Sequence, residues 1–321
     1  MSVLASVVLL SVQAWSLPAA RPCDGREIAA LTAEADTPYL LACRATLTPG
    51  QTIVRPVRII GAEGSGAQLD CGGGSVGRAG APVAASAPTI AVWSRRIDAF
   101  AWSRPTDVRI SNCRIHGAVR VWGMGADGSY DDLRASSRTP DHTDRLQTAA
   151  PSHVTLENVT ISAAGAIPLY IGPGVTRLSL TRSTLEGQSV STAVYLDAES
   201  ADNRIEDNLI RTRTQREMIA IDGSARNRIT GNRFDLGGRP GVFLYRNCGE
   251  RGVIRHQTPS HNTITANVFR DAARWRPRLV VENARQGRRS YCDDDKGYPW
   301  GSSIDDRDGA SDNVVHYSFG N

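Results

Sequence analysis

The chain has 321 residues, 37 of them basic and 33 acidic, with a net charge of +4 and a hydrophobic content of 40%. That is enough apolar material for a sizeable core, which excludes a disordered chain. The charges are interspersed rather than gathered in a stripe, which argues against a nucleic-acid partner. Lys296 is the only lysine, so the positive charge is almost all arginine. Arginine's planar fork suits carboxylate, sulfate and phosphate groups, so the expected partner is an acidic polymer.

Val3 to Val12 is an apolar run too short to span a bilayer, and Ala14-Trp15-Ser16 follows it with the small-x-small pattern of a cleavage site. Residues 1–16 are therefore read as a signal peptide, which makes the mature chain secreted or periplasmic. No other stretch is long and apolar enough to cross a membrane. The six cysteines, Cys23, Cys43, Cys71, Cys113, Cys248 and Cys292, include no C-x-x-C pair, so zinc and thioredoxin-type chemistry have no support. Spacing alone does not choose among the possible pairings; the preferred one is sequential, Cys23–Cys43, Cys71–Cys113 and Cys248–Cys292, in an oxidising compartment.

Residues 17–105 lack a clean repeat and are read as an N-terminal cap with the first irregular coils. Within them "CDGREIAALTAEA" from Cys23, with Asp24 as N-cap, predicts a short helix. From residue 106 to 321 the chain repeats itself. "VRISNCRI" (Val108), "VTLENVTI" (Val154), "LSLTRSTL" (Leu178), "NRIEDNLI" (Asn203), "NRITGNRF" (Asn227) and "NTITANVF" (Asn262) align with apolar residues at the third and eighth places. From Val154 the starts lie 24, 25 and 24 residues apart, then 35, and "NVVHYSFG" from Asn313 closes the series in degenerate form. Such a period, with short β-rich segments and few helical patterns, predicts a parallel β-helix, in which each coil stacks on the one before. Asn208, Asn232 and Asn267 share a column and should form an amide ladder along the axis.

A second set of segments aligns as well: "AVRVWGM" (Ala118), "PLYIGPG" (Pro168), "AVYLDAE" (Ala193), "MIAIDGS" (Met218), "GVFLYRN" (Gly241) and "RLVVENA" (Arg278). Their second and fourth residues are apolar and face inward, so the third and fifth face out. The third column then holds Arg120, Tyr170, Tyr195, Ala220, Phe243 and Val280, and the fifth holds Trp122, Gly172, Asp197, Asp222, Tyr245 and Glu282. Two stacked aspartates are costly unless a cation, a shared proton or a substrate compensates them, and the tyrosines beside them offer flat surfaces to a sugar ring. Insertions at 125–151, 248–261 and 284–311 are expected to wall this face; they carry His142, Arg255, His256, Tyr291 and the acidic run Asp293 to Asp295.

The pattern resembles the right-handed parallel β-helix superfamily of secreted carbohydrate-active proteins: pectate and alginate lyases, polygalacturonases and mannuronan epimerases. The resemblance implies an all-β solenoid of about 24 residues per coil and activity on a polysaccharide; no catalytic motif transfers residue by residue. A uronate lyase needs a cation for the substrate carboxylate, a base for the C5 proton and an acid for the leaving oxygen. The residues placed in catalysis are Asp197, Asp222, Tyr245, Arg246 and His256. Those placed in substrate binding are Tyr170, Tyr195, Glu199, Arg216, Phe243, Arg255 and Tyr291. Cofactors are none, or Ca2+ held by the aspartates, and the protein is expected to be a monomer. A glycoside hydrolase using Asp197 and Asp222, and a non-catalytic carbohydrate-binding or adhesin β-helix, are the alternatives.

Overall fold

A computed structural model of the protein describes residues 20–99, 101–248, 250–286 and 297–319. The coils are built from short strands that pair in parallel with the strand one coil earlier and one coil later. One sheet has nine strands, from Tyr39–Leu40 to Val280–Val281. Two further stacks, each contributing one strand per coil, are joined through the long strand Thr263–Arg270, which runs through both. The chain is a parallel β-helix, all-β apart from a few short helices.

The register follows the repeat. Ile110, Leu156, Leu180, Ile205, Ile229 and Ile264, the third-place residues, stand opposite one another in successive coils and are fully buried. Ile115, Ile161, Leu185, Ile210, Phe234 and Phe269, the eighth-place residues, do the same on the next stack. Each inward side chain of this size contributes about 1.5–3 kcal/mol when removed from water, and alternation along so short a strand leaves no other way to cover it.

Asparagines hold the corners. Asn208 Nδ2 donates to Asn232 Oδ1 (2.9 Å), and Asn232 Nδ2 to Asn267 Oδ1 (3.0 Å), forming the expected ladder. A second ladder, not anticipated, runs Asn203, Asn227, Asn262 and Asn313 through the first letter of the same repeat. At the corner of the first ladder the preceding residue of each coil lies in the left-handed region: Asn158 (φ 51°), Arg182 (φ 49°), Asp207 (φ 57°) and then Gly231 (φ 71°). Glycine is the residue that adopts this backbone without strain.

At the N-terminal end, α1 (Gly25–Thr32) closes the first coil with the buried Leu31. Asp24 caps it as expected, accepting from the Arg26 and Glu27 backbones, while Glu27 accepts from the Asp24 backbone in return. The Cys23–Cys43 disulfide ties this cap to the first coil, and Cys71–Cys113 joins successive coils. Cys248 is disulfide-bonded, whereas Cys292, its expected partner, lies outside the described residues, as does the predicted signal peptide. Coils are already stacked well before the legible repeat: Val57 and Ile59 pair with Ile90 and Val92, all turned inward. The insertion after Trp122 forms two helices, α2 (Tyr130–Ser137) and α3 (His142–Ala149), the latter burying His142, Leu146 and Ala149 along one face. No helix among the described residues is long and apolar enough to cross a membrane.

Candidate functional site

The outer face of the nine-stranded sheet carries the predicted columns. Arg120, Tyr170, Tyr195, Ala220 and Phe243 stand in one register. The last coil is offset by one residue from expectation, since Phe243 pairs with Val281, so Val280 turns inward and Glu282 leaves the second column. Trp122, Tyr170 and Tyr195 form a run of rings with centroids 5.5 and 5.8 Å apart, and the Arg120 guanidinium lies 4.3 Å above Tyr170. Gly172 makes room for this run: a Cβ there would stand 3.1 Å from the Trp122 ring and 2.9 Å from the Val121 carbonyl oxygen.

Below the rings lie the two aspartates. Asp197 accepts from the Tyr170 hydroxyl, from the Ala198 backbone (2.8 Å) and from Arg255 Nη1 (2.8 Å). Asp222 accepts from the Tyr195 hydroxyl (2.5 Å), the Asn247 backbone (2.7 Å) and Asn247 Nδ2 (2.6 Å), and its Oδ2 lies 3.1 Å from the same Arg255 nitrogen. One guanidinium thus compensates both carboxylates, as the stacking of like charges requires. Asp197 retains some exposed surface, while Asp222 has none. Burial pushes the Asp222 pKa up to about 6; the Arg255 charge opposes that shift, and Asp197 adds to it.

A carboxyl whose folded pKa exceeds its unfolded value of 3.8 binds its proton more tightly in the native state. Its contribution to stability is therefore full at low pH and is lost as the pH rises through about 6. Asp222→Asn should remove a pH-dependent component of roughly 2–3 kcal/mol between about pH 4 and pH 6.5. Denaturant titrations of both proteins across that range test this, and parallel stability curves would contradict it.

Two insertions close over the aspartates. Glu199, fully buried, accepts from Thr143 Oγ1 of α3 (2.5 Å) and from the backbones of His256 (2.7 Å) and Gln257 (3.1 Å), pinning both insertions to one corner of the coil. The His256 ring donates through Nε2 to the Ser137 carbonyl (2.7 Å) and lies 4.9 Å from the His142 ring. Burial, with His256 alongside, pushes His142 down to about 3, so it is neutral at ordinary pH. Between the sheet and α2 there remains a cleft of about 160 Å³ lined by Trp122, Tyr130, His142, Tyr170, Asp197, Arg251 and Arg255. At about 30 Å³ per water it has room for roughly five waters, the scale of one sugar ring.

Of the residues predicted to be catalytic, Asp197 lines this cleft and Asp222 lies directly behind it. Tyr245 does not reach it. Its phenol is fully buried, accepting from Arg216 (2.6 Å) and donating to Glu217 (3.2 Å), because the insertions cover the outward column at this coil. Arg246 turns away to pair with Asp305 (2.9 Å), and His256 braces the roof of the cleft. Among the predicted binding residues, Tyr170 and Arg255 line the cleft, and Tyr195 supports Asp222. Glu199 is the pin just described, and Arg216 serves Tyr245. Phe243 is buried under Arg278 (4.3 Å), and Tyr291 lies outside the described residues. Tyr245→Phe should therefore cost about 1–3 kcal/mol of stability, since Arg216 and Glu217 lose a partner, and leave turnover within about twofold; a large loss of turnover at unchanged stability would restore Tyr245 to the chemistry.

Sequence reasoning assigned no role to Tyr130, Arg251 or Asn247. Trp122 stood in the outward column and His142 was named in an insertion expected to wall the site, but neither was given a role. Only the Trp122 position carried a readable signal, in facing Gly172 across the coil.

The model of the right handed beta helix region family matches residues 99–283, more than half of the chain. The chain belongs to the right-handed β-helix family. No curated protein matches it, and no solved structure does. In this β-helix protein the stacked coils supply a rigid floor, and the insertions between strands supply the walls and the charged groups. A β-helix domain is compatible with action on polysaccharides.

Proposed function

We propose that this β-helix protein cleaves a uronate-containing polysaccharide by β-elimination, with the chemistry at Asp197 and Tyr170. The observation that carries the reading is the content of the cleft: one carboxylate, a phenol hydrogen-bonded to it, and two arginines around space for one sugar ring. Arg251, which makes no ion pair among the described residues and rests on the Tyr130 ring (4.3 Å), is the cation for the substrate carboxylate; neutralising that group acidifies C5. Asp197 takes the C5 proton, the C4–C5 double bond forms and the C4–O4 bond breaks. Burial, reinforced by the neighbouring Asp197, holds the Tyr170 pKa well above that of a free phenol, so its proton is present to be given to the departing O4. The proton now on Asp197 then passes to the Tyr170 oxygen along the hydrogen bond that joined them, which returns both groups to their starting state.

A hydrolase would need two carboxyl groups facing one glycosidic bond, about 5–5.5 Å or about 6.5–9.5 Å apart. Asp222 and Glu199 are fully buried, which favours the lyase. Calcium does not fit the aspartate pair, because Arg255 Nη1 stands within 2.8 and 3.1 Å of the two carboxylates, where a metal would need to be. The run Asp293 to Asp295 lies outside the described residues.

Product analysis on a panel of acidic polysaccharides tests the proposal. Ultraviolet absorbance from a C4–C5 double bond, rising with each new reducing end, is the expected result. Reducing ends without that absorbance would identify a hydrolase, and neither signal on any uronate polymer would leave the cleft as a binding site.

A further inference from the structure

Along the regular coils, arginines pair with carboxylates one coil away: Arg211 with Glu186, Arg226 with Asp202, Arg228 with Glu206. The corner ahead of the last strand of the nine-stranded sheet departs from this habit. The segment 270–278 reads RDAARWRPR, with four arginines against one aspartate. Its backbone is bonded to the equivalent corner of the preceding coil, Leu236 to Arg270 (3.0 Å), Gly238 to Asp271 (2.8 Å) and Gly241 to Arg278 (2.9 Å), and that corner adds Arg239. Arg239, Arg270, Arg274, Arg276 and Arg278 are all exposed, and none forms an ion pair among the described residues. Trp275 stands among them with 83% of its surface exposed, the most of any large hydrophobic residue described.

The five arginines on these adjoining corners form no ion pair among the described residues and outnumber the nearby Asp235 and Asp271, so they repel one another, and a bare indole in water gains nothing for the fold. Both features are explained if an anionic ligand covers them. We propose that the corners 236–241 and 270–278 form a second binding surface for an acidic polysaccharide, separate from the cleft, in which the arginines hold carboxylates and Trp275 carries a sugar ring. The nature of the ligand rests on the lyase reading. Trp275 supplies a flat apolar face with a polar edge, which suits a pyranose ring, and arginine forks match carboxylates along a chain. A lipid surface fits less well, because Trp275 and Pro277 are the only sizeable apolar groups in the segment and it forms no amphipathic helix. The place also suits a long chain: Arg278 stacks on Phe243, three coils from Tyr170 on the same sheet, about 14 Å at about 4.8 Å per coil.

Affinity electrophoresis through gels containing polygalacturonate or alginate, with neutral dextran as control, tests the proposal. The proteins are the wild type, R274S/R276S, Trp275→Ala and the cleft variant Asp197→Asn. The wild type and Asp197→Asn should be retarded alike in both uronate gels, and retardation should fade with added salt. R274S/R276S should bind at least tenfold more weakly, and Trp275→Ala should show a smaller loss that salt does not reproduce. All four sites are exposed or tolerate the change, and matching thermal transitions confirm folding. Retardation unchanged in R274S/R276S would overturn the surface. Loss of retardation in Asp197→Asn alone would assign all binding to the cleft and overturn it as well. Sedimentation of the wild type with anionic phospholipid vesicles but no retardation by either polymer would replace the polysaccharide with a membrane. Because binding is read without turnover, a failure of the lyase chemistry leaves this outcome independent.

Discussion

Asp197→Asn should lower turnover of a uronate polymer by about 10²- to 10⁴-fold, the range expected when a positioned acid–base group is lost. The fold should survive, because asparagine Oδ1 can still accept from the Ala198 backbone while its Nδ2 can donate to the Tyr170 oxygen, and Arg255 keeps its partner Asp222. Tyr170→Phe should cause a loss of similar size, and the double variant should lose little more than either alone, since the two groups act as one proton-transferring unit. Steady-state rates together with thermal unfolding of the three variants check this. A rate within threefold of the wild type for Asp197→Asn would remove that residue from the chemistry, and full additivity would separate its role from that of Tyr170.

The largest effect on stability is expected at the asparagine ladder. Asn232 accepts from the Asn208 backbone and side chain and donates to the Ile205 carbonyl and to Asn267, all in fully or almost fully buried positions. Asn232→Leu would strand several of these partners in a corner with no access to water. At about 1–3 kcal/mol for each stranded group, less whatever relaxation recovers, a loss of roughly 3–6 kcal/mol is expected. Urea titration measures it as a lower midpoint, and a loss under about 1 kcal/mol would show that the ladder is ornamental.

The ladder was legible in the sequence because its signal is local and repeated. The same letter recurs at the same place in each coil, and period-two alternation then fixes which residues turn inward. That is why the third- and eighth-place columns lie in the register expected. The offset at the last coil has the same origin: "RLVVENA" contains three apolar residues in a row, so alternation alone does not say which of Val280 and Val281 faces the core.

The cleft was half legible for a different reason. Alternation places Tyr170, Asp197, Asp222 and Tyr245 on the outer face alike, and so they lie. What separates their chemistry is the cover above them, which comes from insertions without period. α2 and α3 hold only two turns each; α2 buries mostly polar residues, and the buried face of α3, His142, Leu146 and Ala149, is too short to announce a helix. Arg255 lies in such an insertion, yet it is the charge that lets both aspartates be buried. Tyr245 fell on the covered side and Tyr170 on the open one, a distinction carried by Arg216, Glu217 and Arg285, which the fold brings onto Tyr245 from neighbouring coils and an insertion. The pin at Glu199 is similar: its sequence reads as a turn, and only the fold brings Thr143 and His256 to it.

The most direct test is a crystal structure of Asp197→Asn soaked with a short unsubstituted uronate oligomer. One sugar ring should lie in the cleft with its carboxylate on Arg251, its C5 roughly 3–3.5 Å from the side chain at position 197 and its glycosidic oxygen within reach of the Tyr170 hydroxyl. An oligomer bound with its carboxylates away from Arg251, or with C5 turned from position 197, would contradict elimination at this cleft.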